Sequence, residues 1–194
     1  MSEALLRIGH TVDSSQIYGP GNRAVIWVQG CTLACQGCWN KEFWPTIGGQ
    51  EMQVEELITW LKSIDDIEGI TLLGGEPLQQ PEAVLGVIEG ARNLGLSIFL
   101  YSGFEECELD DLQMQCLKLA DIAVLGRYDE EKRNLALRWR GSENQKVQFL
   151  SSRYSPEEWV EEIQEIEISI GEDGSISAYG YPDEEFRRDI LGIL

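Results

Sequence analysis

Short apolar runs alternate with amphipathic segments along this 194-residue chain, a pattern few folds can satisfy. AVIWVQG (24–30), GITLLGG (69–75), SIFLYSG (97–103), DIAVLG (121–126) and QKVQFLS (145–151) read as strands. VEELITWLKSI (54–64) places Val54, Leu57, Ile58 and Leu61 on one helical face. PEAVLGVIEGARNLG (81–95) is a second helix, with proline near its start, Val84, Ile88 and Ala91 on one side, and glycine at its end. EECELDDLQMQCLKLA (105–120) reads as a third. Strands alternating with helices predict right-handed βαβ units, and strands that are apolar almost throughout predict a parallel sheet covered on both faces.

The end of the chain is patterned differently. EIEISIGEDGSISAYGYP (165–182) is two alternating runs around Glu-Asp-Gly, the pattern of a hairpin. Before it, Ser155, Pro156 and Glu158 make a helix start, and Trp159, Ile163 and Ile166 recur at helical spacing. The expected fold is therefore α/β, an incomplete (β/α) barrel of parallel strands with a C-terminal β-hairpin. A full eight-fold barrel takes about 250 residues, more than this chain has. One domain is expected over 1–194, with its core over about 22–152 and a C-terminal helix and hairpin over 153–194.

Thirty-four acidic against fifteen basic residues give a formal charge of −19, which repels phosphate backbones and argues against nucleic-acid binding. No apolar run approaches the roughly 20 residues of a membrane span, and the first residues do not read as a secretory signal. The expected place is the cytoplasm, where clustered cysteines are metal ligands or catalysts more often than disulfides.

Three of the five cysteines, Cys31, Cys35 and Cys38, stand in a C-x3-C-x2-C pattern directly after the first of these runs. A disulfide would leave an odd thiol. A structural zinc site wants four ligands, and the only histidine, His10, has no typical ligand pair near it. An iron–sulfur cubane normally takes four thiolates, so three leave one iron open to a small molecule. LLGGEPL (72–78) follows the second run, and its two glycines let the backbone approach a ligand closely. YSG and GRY end the third and fourth runs, so all four loops are expected on one rim, where sheets of this kind carry their chemistry.

C-x3-C-x2-C after the first strand, followed by GGEP after the second, resembles the radical S-adenosylmethionine (SAM) enzymes. The longer segments DSSQIYGPGNRAVIWVQGCTLACQGCWNKEFWP (13–45), LYSGF (100–104) and EKRNLALRWRGSENQKV (131–147) resemble the activating enzymes of anaerobic ribonucleoside-triphosphate reductases. That resemblance implies a 4Fe-4S cluster on Cys31, Cys35 and Cys38, with an open iron that binds SAM. It implies reductive cleavage of SAM to a 5′-deoxyadenosyl radical and abstraction of hydrogen from a glycine of a partner glycyl-radical enzyme. Gly37 and Trp39 would lie near the SAM adenine, and Gly74, Gly75 and Glu76 would hold its methionine end. Ser102, Gly126, Arg127 and Tyr128 would line the same site. Arg138, Arg140, Asn144 and Gln145 would bind the partner peptide or cap the barrel mouth. A low-potential donor such as flavodoxin or ferredoxin would supply the electron.

The sequence departs from the family pattern at Leu125, where the activases usually carry an aspartate. Two other readings therefore stand beside the first. One is a radical SAM maturase of another protein or ribosomal peptide, and the other is an iron–sulfur electron carrier that never cleaves SAM. Cys116 falls on an apolar helical face and reads as a buried structural thiol, whereas Cys107 has no assigned part.

Overall fold

A computed structural model describes residues 4–159, 165–171, 173–174, 176–180 and 188. Seven strands form one sheet. They are β1 (Leu5–Ser15), β2 (Arg23–Val28), β3 (Gln50–Gln53), β4 (Gly69–Gly74), β5 (Ser97–Ser102), β6 (Ile122–Leu125) and β7 (Lys146–Phe149), in the order β3-β1-β2-β4-β5-β6-β7. The middle of the sheet, β2-β4-β5-β6, is parallel, while β1, β3 and β7 pair antiparallel at its sides. Helices α1 (Val54–Ser63), α2 (Pro81–Asn93) and α3 (Asp111–Leu119) are the connections between the parallel strands. A separate hairpin, β8 (Ile166–Ile170) and β9 (Ile176–Gly180), lies where the alternation placed it.

The sheet does not close on itself, and β3 and β7 are its two ends. What stands is a mixed α/β fold around an open, parallel-centred sheet. β1 and β3 have no counterpart among the expected strands. In β1, Leu6 and Ile8 are buried while Arg7 and His10 are not, so it lacks the continuous apolar signal of the central strands. β3, QEMQ, is almost wholly exposed and is held by pairing to β1 rather than by burial.

Two expected helices are corrected. The segment 105–120 is broken: a 3-10 turn covers Glu106–Glu108, and α3 begins only after Asp110. The Asp110 carboxylate accepts from the backbone N–H of Leu112 and Gln113, both at 2.9 Å, and this cap fixes the later start. In the expected helix from Ser155, a 3-10 turn covers Pro156–Glu158, Trp159 turns extended, and Ile166 belongs to β8. Residues 160–164 of that segment lie outside the described residues.

The two faces of the sheet are covered by different means. Ile26, Val28, Ile70, Leu72, Ile98 and Leu100 pack against Leu57 and Leu61 of α1 and Val84, Ile88 and Ala91 of α2. The other face, which carries Val25, Trp27, Leu73, Phe99 and Val124, is covered by aromatic side chains from loops and from β9, among them Tyr18, Trp139 and Tyr179. Both faces are dry, which explains why the central strands read as unbroken apolar runs.

At the N-terminal ends of the parallel strands the register aligns Arg23, Gly69 and Ser97. Arg23 is wholly buried, yet each of its donors finds an acceptor. Its Nε donates to Thr71 Oγ1 at 2.8 Å, Nη1 to Ser97 Oγ at 2.8 Å and to the Pro20 carbonyl, and Nη2 to the carbonyls of Ile70 and Ser97. A buried guanidinium is tolerable only when its fork of N–H groups is satisfied in this way. Gly69 leaves it room, because a Cβ there would collide with Ser97 and crowd Arg23 Nη1. Gly69→Ala is expected to lower stability by about 2 kcal/mol through overpacking, measured as an unfolding midpoint in urea. An unshifted midpoint would show that this end of the sheet yields freely.

Candidate radical SAM site

The loops at the C-terminal ends of β2, β4, β5 and β6 meet. The cysteine loop leaves β2 at Val28 and is pinned at its base. Gly30 N–H donates to the Phe43 carbonyl at 2.8 Å, and Cys31 N–H to the Trp44 carbonyl at 3.0 Å. The Gln29 side chain donates to the Pro45 carbonyl at 2.7 Å. Within the loop, Cys38 N–H returns to the Cys35 carbonyl at 3.1 Å. This closes a β-turn whose third residue, Gly37, has φ +72°. A turn of that hand wants glycine there, so Gly37 answers to the backbone whatever it lies near.

The β4 loop runs beside the cysteine loop. Gly75 N–H donates to the Val28 carbonyl at 2.8 Å and Glu76 N–H to the Gly30 carbonyl at 2.9 Å, continuing the parallel pairing past the strand ends. A Cβ on Gly75 would strike the Gly30 carbonyl, and one on Gly74 would crowd the backbone of Trp27 and Val28. The two glycines therefore allow a close approach of chain to chain. Two side chains that sequence reasoning missed complete the seam. Gln79 accepts from Thr32 N–H at 3.0 Å, and Gln80 donates to the Gln29 carbonyl at 3.1 Å. Their signal was present as QQ directly after GGEPL, but glutamine pairs carry no pattern of their own.

Glu76 joins β4 to β5. It is 1% exposed, and its Oε1 accepts from Leu78 N–H and Ser102 Oγ, each at 2.9 Å, while Oε2 accepts from Gly103 N–H at 2.7 Å. Sequence reasoning gave Glu76 and Ser102 to a ligand, but in this structure their polar atoms are engaged with each other and with the loop. Gly103 is covered by Leu33 of the cysteine loop, and a Cβ there would collide with it.

The β6 loop closes the ring. Gly126 N–H reaches the carbonyls of Ser102 and Phe104, both at 3.0 Å. The backbone N–H of Tyr128 bonds toward Cys35, and the Glu130 carboxylate lies against Gly37. Arg127 is half-exposed, pairs with Glu108 at 2.7 Å and stands over the Phe104 ring at 5.9 Å. Asn144 Nδ2 donates to the Arg127 carbonyl at 2.8 Å and Gln145 Nε2 to the Gly126 carbonyl at 3.1 Å, so the SENQ stretch holds this loop. Leu125 is buried with Ala123 and Leu117 on the helix-covered face.

Partial burial pushes the Cys31 and Cys35 thiols up from their ordinary values. The backbone N–H groups of Leu33 and Ala34 at Cys31, and of Tyr128 at Cys35, act the other way. Such N–H groups are suited to anionic sulfur, the form that binds iron. Among the described residues no three Cys, His, Asp or Glu side chains are gathered as around one metal ion. A cubane makes a different demand, since each thiolate binds its own iron. Three half-exposed thiols on a loop edged with N–H donors fit a 4Fe-4S cluster. Cys116, by contrast, is buried with its thiol pushed up to about 12, a packing residue, and Cys107 is exposed.

Residues 17–148 match the family model described as 4Fe-4S single cluster domain. The anaerobic ribonucleoside-triphosphate reductase-activating protein of Salmonella typhimurium is 34% identical over 142 residues, covering 69% of this chain and 92% of that one. The protein of the same description from Vibrio cholerae is 34% identical over 140 residues, covering 68% and 90%. The chain belongs to the anaerobic ribonucleoside-triphosphate reductase-activating protein family. Among solved structures, QueE from Escherichia coli aligns with a TM-score of 0.44 at 14% identity, over 60% of this chain and 69% of that one. In this member of the activating-protein family, the matched residues contain all four rim loops, while β8 and β9 lie beyond them.

Burial pushes the Glu76 carboxyl up from 4.5 to about 7, against the pull of Gly103 N–H, Leu78 N–H, the Ser102 hydroxyl and Arg127. The folded chain thus binds this proton more tightly than the unfolded one. The contribution to stability is complete below the unfolded value and is lost as pH rises through the folded value. The loss should be on the order of 3 kcal/mol. Unfolding midpoints of the iron-free protein should fall across this window in the wild type and lack that component in Glu76→Gln. Identical pH profiles would refute the assignment.

Proposed function

We propose that this protein is a radical SAM enzyme that activates a glycyl-radical enzyme of the anaerobic ribonucleoside-triphosphate reductase type. The observation that carries the proposal is the meeting of the three-cysteine loop, the Gly74–Glu76 turn and the Gly126–Tyr128 segment at one rim, in a chain of the activating-protein family. Cys31, Cys35 and Cys38 would hold the cluster, leaving one iron open to SAM. When bound and reduced, the cluster would supply the one-electron cleavage of SAM that generates a hydrogen-abstracting radical for a glycine of the partner.

The chain's own residues position this chemistry. Gly74 and Gly75 bring backbone next to the cysteine loop, where it meets the methionine end of SAM. Glu76 and Ser102 keep that backbone in place through their mutual hydrogen bond. Arg127 and Tyr128 line the other side, with the Arg127 guanidinium acting on Cys35 while it pairs with Glu108. Trp39, next to Cys38, packs against the adenine, with the Gly37 turn setting its place. The open sheet is read as an incomplete (β/α) barrel within a single domain. Its open side admits a protein loop more readily than a small metabolite, which favours a closed pocket. The donor is a low-potential flavodoxin or ferredoxin, and the setting is the cytoplasm. Among the described residues no helix is long and apolar enough to cross a membrane.

The deciding experiment is anaerobic. Protein reconstituted with iron and sulfide, reduced with dithionite and given SAM should yield 5′-deoxyadenosine, and the variant carrying Cys31→Ala, Cys35→Ala and Cys38→Ala should yield none. Added anaerobic ribonucleotide reductase should acquire a glycyl-radical signal in electron paramagnetic resonance. A reducible cluster that leaves SAM intact would instead mark an electron carrier.

A further inference from the structure

The three residues between Cys31 and Cys35 are fixed in three different ways. Thr32 is held by a side chain from the neighbouring loop. Gln79 Oε1 accepts from Thr32 N–H at 3.0 Å, and Gln79 Nε2 donates to Thr32 Oγ1 at 2.6 Å. One amide thus uses its acceptor and a donor on a single residue, which sets orientation as well as distance. Gln79 is itself firmly placed. It ends a 3-10 turn over Pro77–Gln79, its N–H donates to the Glu76 carbonyl at 3.1 Å, and Pro77 and Leu78 beside it are buried.

Leu33 is held by packing, since its side chain covers the bare face of Gly103 at the end of β5. Ala34 is strained. Its φ is +47°, a left-handed conformation that a residue with a Cβ adopts only at a cost. Among the described residues only Asp66 and Trp139 share a positive φ without being glycine. The Ala34 side chain is exposed, so its own burial does not explain the conformation. Strain of this kind persists where the surroundings over-determine it, and it collects at functional sites.

The strained turn has a use. The N–H groups of Leu33 and Ala34 both bond toward the Cys31 sulfur. Consecutive N–H groups beside a left-handed residue form a concavity that suits an anion. The two residues leading into Ala34 are those gripped by the β4 and β5 loops. The loop therefore has the shape for a thiolate before iron arrives, with its ordering cost already met.

We propose that Gln79 is a positioning residue for the cluster: through Thr32 it holds the backbone of residues 32–34 so that two N–H groups stay on the sulfur of Cys31. The proposal rests on the reading that Cys31, Cys35 and Cys38 carry a 4Fe-4S cluster, and on nothing that the cluster does to SAM. Gln79 acts on the loop and not on iron. Thr32 is its partner in this role, and removing either should act through the same contact.

The test uses the full-length protein reconstituted anaerobically with iron and sulfide, without SAM. Two quantities are read, the rate at which a chelator strips the cluster and the reduction midpoint of the cluster. Gln79→Met keeps the length of the side chain and loses both hydrogen bonds. It should lose its cluster about tenfold faster, the worth of two modest hydrogen bonds. Its midpoint should also fall, because N–H groups facing sulfur favour the added electron. Thr32→Val removes only the hydroxyl and should lie between wild type and Gln79→Met. The double variant should be no worse than Gln79→Met alone, the non-additivity expected of one shared contact. Gln115→Met, on an exposed helix position whose amide bonds only Asp111 of the same helix, should behave as the wild type does.

Unchanged stripping and midpoint in Gln79→Met and Thr32→Val would overturn the proposal. Faster stripping with an unmoved midpoint would overturn it as well, since packing alone would account for that. So would additive effects in the double variant, which would send the two residues along separate routes. A wild type that assembles no cluster would remove the cofactor reading beneath the proposal. A wild type that shows these shifts yet never cleaves SAM would uphold Gln79 and sink the proposed function instead.

Discussion

A carboxylate sealed from water at the rim of a parallel sheet holds the site together. Glu76 reaches from the end of β4 to the end of β5 and takes three hydrogen bonds, two of them from backbone N–H groups that would otherwise be orphaned where the strands stop. Gly103, one of those donors, carries Leu33 of the cysteine loop on its bare face. Gly126 N–H then reaches back to the carbonyl of Ser102, whose hydroxyl bonds Glu76. The cysteine loop, the GGEP turn and the β6 loop therefore share one buried anchor. Arg23 is its counterpart at the other end of the sheet, a buried cation met by carbonyls and hydroxyls rather than by an acid. Both are polar groups whose burial is tolerable only while each partner stays in place.

The cysteine loop shows how a flexible-looking segment is prepared for a metal cluster. Its base is tied by Gln29, Gln79 and Gln80, its last turn is set by Gly37, and N–H groups from two different loops face its sulfurs. Burial alone would keep the thiols protonated, which opposes iron. The N–H dipoles favour the charged sulfur and partly offset that cost. The same donors would moderate the negative charge of a bound cluster, a recognised lever on its potential.

Much of this was legible from residues alone because the central strands are apolar on both faces and the cysteine and glycine motifs end them. Position after a parallel strand was enough to bring Cys31, Gly75, Ser102 and Gly126 to one rim. β1 and β3 escaped notice because antiparallel side strands need only half an apolar face, or none. Asp110 broke a helix that periodicity had run through, since a cap competes locally and leaves the apolar spacing intact. The use of Glu76 was hidden for another reason. An acid in a glycine-rich turn reads equally as a ligand for a cation and as a clamp on backbone N–H groups. Only the distances to Gly103, Leu78 and Ser102 separate the two.

The two faces of the sheet are covered by different chemistry. The helix-covered face is aliphatic and closely packed, with α1 and α2 burying Leu57, Leu61, Val84 and Ile88 against it. The opposite face is aromatic and is closed by pieces from far apart in sequence, namely Tyr18, Trp139, Trp159 and Tyr179. Several of these rings carry polar atoms at their edges. Tyr18 spends its hydroxyl on Gly180 of the hairpin, and Tyr179 its hydroxyl on His10 at 3.4 Å, whereas the indoles of Trp139 and Trp159 spend theirs on nothing in the described chain. A cover whose donors are matched at the β1 side and unmatched at the β7 side is not uniform. The hairpin closes the β1 side of the face with its own groups. The aromatic cover is thus assembled from distant contacts, whereas the cysteine and glycine loops meet at the strand-end rim beside it.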